Sequence, residues 1–102
     1  MFNINGISWD VYFVNPEHPF LLRQDKTFSI GACDSTTRII YINDTLTSAM
    51  FKKVLCHEIV HAAMFSYNVT LSIDEEEVIA NIIAKYGEEI IKITNSLFSK
   101  IK

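Results

Sequence analysis

The chain has 102 residues, 49% of them hydrophobic, which is enough for one modest core and too few for two independent domains. Nine Lys and Arg stand against twelve Asp and Glu, a net charge of −3 with the positive residues scattered, and this balance argues against nucleic acid as a primary partner. No segment approaches the roughly 18 uninterrupted apolar residues of a membrane span. The N-terminus MFNINGISWD has no basic stretch leading into an apolar run, and Cys33 and Cys56 have neither CxxC spacing nor a secretory context. The expectation is a single domain over residues 1–102, soluble and cytoplasmic, with two buried free thiols.

In chain order, Ile7 to Val14 (ISWDVYFV) is rich in β-branched and aromatic residues and stops at Asn15-Pro16, the pattern of a strand ended by a turn. Pro16 to Lys26 reads as a loop. Phe28 to Cys33 and Arg38 to Ile42 form two β-like runs around Asp34, Ser35, Thr36 and Thr37, predicting a hairpin. A helix capped by Asp44, Thr45 or Thr47 is then expected from about Leu46 to Tyr67. Asp74 and the glutamates after it open a second helix, acids at the N-terminus suiting its dipole, and Gly87 ends or bends it. Ile90, Ile91, Ile93, Leu97, Phe98 and Ile101 have the spacing of an amphipathic third helix.

His57-Glu58-Ile59-Val60-His61 is an HExxH motif inside a predicted helix, the context in which that motif carries chemistry. Four residues apart, the two imidazoles project from one face and can bind one zinc ion; Glu58 can reach a water on that metal and act as general base. The surrounding VLCHEIVHAAMF is apolar apart from these three residues, so the helix is expected to be buried. Three unpartnered ionisable groups there would cost several kcal/mol, and a metal with its water removes that cost. The competing reading is two core histidines satisfied by hydrogen bonds, with Glu58 at the helix surface.

A catalytic zinc takes three protein ligands and keeps one position open. Glu75, Glu76 and Glu77 are the candidates, and Glu77 is preferred because Asn81, four residues later on the same face, could hold a liganding histidine in place. Glu77, Asn81, Lys85 and Glu88 also read as an ordinary solvated stripe. Periodicity leaves both readings open.

HEIVHAAMFSY followed by EEEVIANIIAKYG resembles the gluzincin arrangement, and in particular is similar to the ImmA/IrrE family and small zincin-like proteins of phages and other mobile elements. In that family HExxH is followed by a helix of the form ExxANxxA whose leading glutamate is the third ligand; the pattern falls here on Glu77, Ala80, Asn81 and Ala84. The hairpin before the metal helix also resembles the strands walling a zincin cleft. The resemblance implies one zinc per chain held by His57, His61 and Glu77, with Glu58 as catalytic base.

The remaining candidates are weaker. His18 lies in the Pro16–Pro19 loop, and packing is the default for Trp9, Tyr41, Tyr67 and Tyr86. Ser29, Ile30, Gly31 and Ala32 are candidates for an edge strand to which an extended peptide could add. The expected architecture is α+β, a minimal zincin-like fold in which a small antiparallel sheet packs on the HExxH helix followed by two further helices. The expected function is zinc-dependent hydrolysis of a peptide bond in a protein or peptide substrate. Its rival is a non-catalytic zincin fold that binds a host or phage regulatory or defence protein.

Overall fold

Asn5 and Gly6 both take positive φ, 49° and 79°, as the two central residues of a type I′ hairpin turn must. In the computed structural model, which describes residues 1–101, this turn joins β1 (Phe2–Ile4) antiparallel to β2 (Ile7–Val14), with Phe2 opposite Trp9. β1 lies outside the expected elements, although Asn-Gly between apolar residues is its signal. After β2 the chain makes one turn of 3-10 helix at Pro19–Leu21, where His18 Nδ1 accepts the Phe20 N–H at 3.2 Å.

β3 (Gly31–Asp34) and β4 (Ile39–Asn43) form the expected hairpin, antiparallel with Gly31 opposite Ile42 and Asp34 opposite Ile39. The Asp34 carboxylate sets its turn by accepting the Thr36 N–H at 3.0 Å and the Thr37 hydroxyl at 2.7 Å. β3 begins later than expected, at Gly31; Ser29 and Ile30 lead into it, with Ser29 N–H bonded to Leu21 O and Ile30 O accepting from Asn43 N.

The strand order is β1-β2-β4-β3, and β4 runs parallel to β2, with Asp10 opposite Ile39 and Val14 opposite Asn43. The sheet is therefore mixed, which corrects the antiparallel expectation. β4 lies between two neighbours and is buried from Ile40 to Asn43; a continuous apolar run of this kind suits a central parallel strand better than one with a solvated face.

α1 (Ser48–Ser66) is capped by Thr47, whose hydroxyl accepts the Met50 N–H at 3.3 Å. It packs across the sheet, with Val54 and Ala62 joining Trp9, Ile40 and Ile42 in the main core. The buried Trp9 indole donates to Ser66 Oγ at 2.9 Å, tying the end of α1 to β2. α2 (Ile73–Ile101) opens with a capping box: Ser72 Oγ accepts the Glu75 N–H at 3.1 Å and Glu75 Oε1 accepts the Ser72 N–H at 3.0 Å.

α2 packs antiparallel on α1 through Ala80 and Ile79, which meet Val60 and Met64. It runs unbroken through Gly87, so the second and third helices expected from the sequence are one. Gly87 keeps a helical φ and does not cap; at an interior position glycine costs about 1 kcal/mol relative to alanine, which a long helix absorbs. No helix among the described residues is long and apolar enough to cross a membrane.

Candidate metal centre

One turn of α1 separates His57 from His61, and their rings stand 4.9 Å apart between centroids on the side of the helix that meets α2. Glu77, in the second turn of α2, faces both: its Oε1 is 2.7 Å from His61 Nε2 and its Oε2 is 3.3 Å from His57 Nε2. One ligand atom from each of the three residues lies within 4.8 Å of the others. Tetrahedral zinc with bonds of about 2.0–2.1 Å spaces its ligand atoms roughly 3.3 Å apart, so small side-chain adjustments suffice to hold a metal here.

The other ring nitrogens are also taken. Glu76 Oε1 lies 2.6 Å from His61 Nδ1, and Glu58 Oε2 lies 3.2 Å from His57 Nδ1. Each imidazole is thus flanked by a carboxylate on both nitrogens, whereas a neutral imidazole has only one N–H to donate. Three carboxylates around two imidazoles form a set that a divalent cation at the Nε2 side completes. With Nδ1–H donated to Glu76, the His61 Nε2 lone pair points toward Glu77.

The three glutamates left open by periodicity therefore have separate positions: Glu75 caps the helix, Glu76 holds the back of His61, and Glu77 faces the Nε2 atoms of both histidines, where a metal could be held. Asn81 is exposed and borders a neighbouring hollow with Glu77, while the Nδ1 atoms of the two histidines, either of which it was expected to hold, face Glu58 and Glu76. Periodicity does not distinguish these adjacent acids, and the position of Glu77 agrees with the ExxANxxA resemblance.

Glu58 is 6% exposed, and burial raises its carboxyl above the ordinary value, with His57 opposing the shift. It lies beneath Gly31, the first residue of the edge strand. A Cβ at Gly31 would stand 2.6 Å from Val54 Cγ1 and 3.2 Å from Glu58 Oε2, so only glycine lets β3 approach α1 this closely. Gly31→Ala is expected to destabilise the fold by about 1–3 kcal/mol, the usual cost of overpacking. A lower urea midpoint checks this; an unchanged midpoint would mean that strand and helix are not held so tightly.

His57, Glu58, His61 and Glu77 line a cleft of about 660 Å³, with Gly31, Ala32 and Cys33 along its opposite wall. Because Ile30 O accepts from Asn43 on β4, the alternation of the ladder turns the N–H and C=O of Gly31 and Cys33 toward the free edge. Those of Gly31 are bridged by the Ser29 hydroxyl, at 3.3 Å from N and 2.6 Å from O. Cys33 closes the Phe28–Cys33 run expected as the cleft's edge strand, one residue beyond the four singled out as peptide-binding candidates. Burial, then the nearby Glu58, push its thiol up to about 12, so it stays protonated at neutral pH.

His18 and Tyr41 lie away from the cleft, stacked with rings 5.4 Å apart, while Tyr67 and Tyr86 are exposed and do not line it. Trp9 is core, as expected.

A sheet edge laid along a helix that presents HExxH, with a carboxylate entering from the next helix, defines a zincin-like metallopeptidase fold. Residues 17–91 match the Peptidase M78 family, described as the IrrE N-terminal-like domain, and the chain belongs to that family. The resemblance to the ImmA/IrrE family carried by residues 57–61 and 77–84 is borne out. No curated protein and no solved structure gives a significant match to the chain.

Proposed function

We propose that the protein is a zinc-dependent peptidase in which His57, His61 and Glu77 hold the metal and Glu58 is the general base. The observation that carries this reading is the pair of imidazoles whose four ring nitrogens all face carboxylates, with both Nε2 atoms converging on Glu77. When bound, zinc supplies Lewis acidity to a substrate carbonyl and to water.

The chain's own residues do the rest. Glu58, buried and raised in pKa, takes a proton from the attacking water and returns it to the leaving amine. Glu76 fixes the His61 ring so that Nε2 faces the metal position. An extended peptide aligns along β3, with the outward N–H and C=O of Cys33 available to pair with its backbone. Protein or peptide is thus the substrate class.

The test is metal content by elemental analysis of protein purified without an affinity tag, alongside Glu77→Ala. About one zinc per chain, strongly reduced in the variant, is the expected result. Protein that neither contains zinc nor takes it up would overturn the reading and leave a binding protein on a zincin-like scaffold.

A further inference from the structure

Every residue of α2 from Glu88 to Ile101 is exposed, because the α1 helix on which α2 packs starts at Ser48 and offers nothing beyond it. Near that limit the two helices are joined by Lys52 Nζ to Glu88 Oε2 at 3.0 Å. From there α2 runs on for about 20 Å at roughly 1.5 Å per residue. It contributes to a longest molecular dimension of 51 Å, against 31 and 28 Å for the other two.

This free length is not polar. Ile90, Ile91, Ile93, Leu97, Phe98 and Ile101 are between 52% and 82% exposed. At about 100° per residue they share an arc of about 160° that also contains Thr94, with Glu89, Lys92, Asn95 and Ser99 on the other side. A stripe of that width on a helix is ordinarily a buried one.

We propose that this face packs against the same face of a second copy of the chain, with the two helices antiparallel. At about 200 Å² for a large apolar residue, the six expose roughly 700 Å² per chain. Two copies would bury about 1,400 Å², inside the range of about 1,200–2,000 Å² of stable interfaces. Antiparallel pairing centred near Thr94 sets Lys100 of each copy beside Glu89 of the other, on the same flank of the stripe, whereas parallel pairing stacks like charges. It also places the two sheet-bearing bodies at opposite ends. A membrane-surface helix would carry an excess of cations on its polar face, and here Glu88 and Glu89 offset Lys92 and Lys100.

The test is sedimentation equilibrium of the full chain from about 5 to 200 μM. A mass twice the monomer's 11.7 kDa is expected for the wild type. The double variant Ile90→Glu, Leu97→Glu should sediment as a monomer with unchanged circular dichroism. Lys100→Glu alone should weaken association about tenfold, and adding Glu89→Lys should restore it; this pair tests the orientation without placing charge in the apolar face. A wild type that stays monomeric over the range, a folded double variant that still dimerises, or a face that binds anionic vesicles without self-association would overturn the proposal.

Discussion

Glu58→Gln is expected to lower peptide hydrolysis by about 10²–10⁴-fold, the usual contribution of a positioned general base. Metal content should stay near that of the wild type, because Glu58 faces Nδ1 of His57 and the metal position lies on the Nε2 side. The amide is nearly isosteric, so the packing of Glu58 beneath Gly31 is kept while the ability to take a proton is lost. Full activity in the variant would remove Glu58 from the chemistry. If neither protein cleaves peptides yet both give the same biological effect, the chain acts by binding.

The variant also carries a pH signature in the metal-free protein. Burial raises the folded-state pKa of Glu58 above its ordinary value of 4.5, so the native state holds this proton more tightly than the unfolded chain does. The stability linked to the proton is fully present below 4.5 and is lost as pH rises through the raised value. Glutamine does not titrate. Metal-free Glu58→Gln should therefore gain stability relative to wild type as pH rises from about 4 toward neutrality, as denaturant midpoints would reveal.

The second large effect concerns the metal. Zinc present at about a thousand times its dissociation constant should stabilise the fold by about 4 kcal/mol, read as a rise in the unfolding midpoint that EDTA reverses. His61→Ala should abolish the response. Glu76→Gln should keep it but require about 10- to 100-fold more zinc, because an amide holds the His61 ring less firmly than the carboxylate 2.6 Å from Nδ1. Equal zinc affinity in Glu76→Gln and wild type would reduce Glu76 to a surface acid near the site.

The HExxH helix was legible because an apolar run around the motif marks which face is covered and sets three polar groups on it. The hairpin before it was legible through Asp34 and the threonines that make its turn. Parallel pairing of β2 with β4 was not, since strand order is decided by which segments cover one another, and the apolar run of β4 marks a central strand without naming its partner. β1 and the Ser72–Glu75 box had local signals, an Asn-Gly turn and an S-x-x-E spacing, that the broader patterns overshadowed. Gly87 misled in the opposite direction, because its permissive backbone is not used here. Periodicity left the third acid open among three neighbours, and the ExxANxxA resemblance chose Glu77, because 100° of rotation per residue, invisible in a list of glutamates, gives Glu76 and Glu77 opposite sides of one ring.

The division of the metal-facing groups between two helices has a mechanical consequence. His61 and Glu77 are sixteen positions apart, 77 less 61, with the Tyr67–Ser72 link between them. An ion shared by both closes that stretch as a covalent cross-link would, and closing a loop of about 15 residues restricts the unfolded chain by about 3 kcal/mol in the entropic account. Apart from this closure, α2 is held to α1 by the cluster of Val60, Met64, Ile79 and Ala80, by the Glu76–His61 hydrogen bond and by the Lys52–Glu88 pair. On the proposed reading a bound zinc would therefore be a clasp as well as a reagent: stripping it should loosen α2 from α1, and amide exchange along residues 73–87 should quicken before the sheet is disturbed.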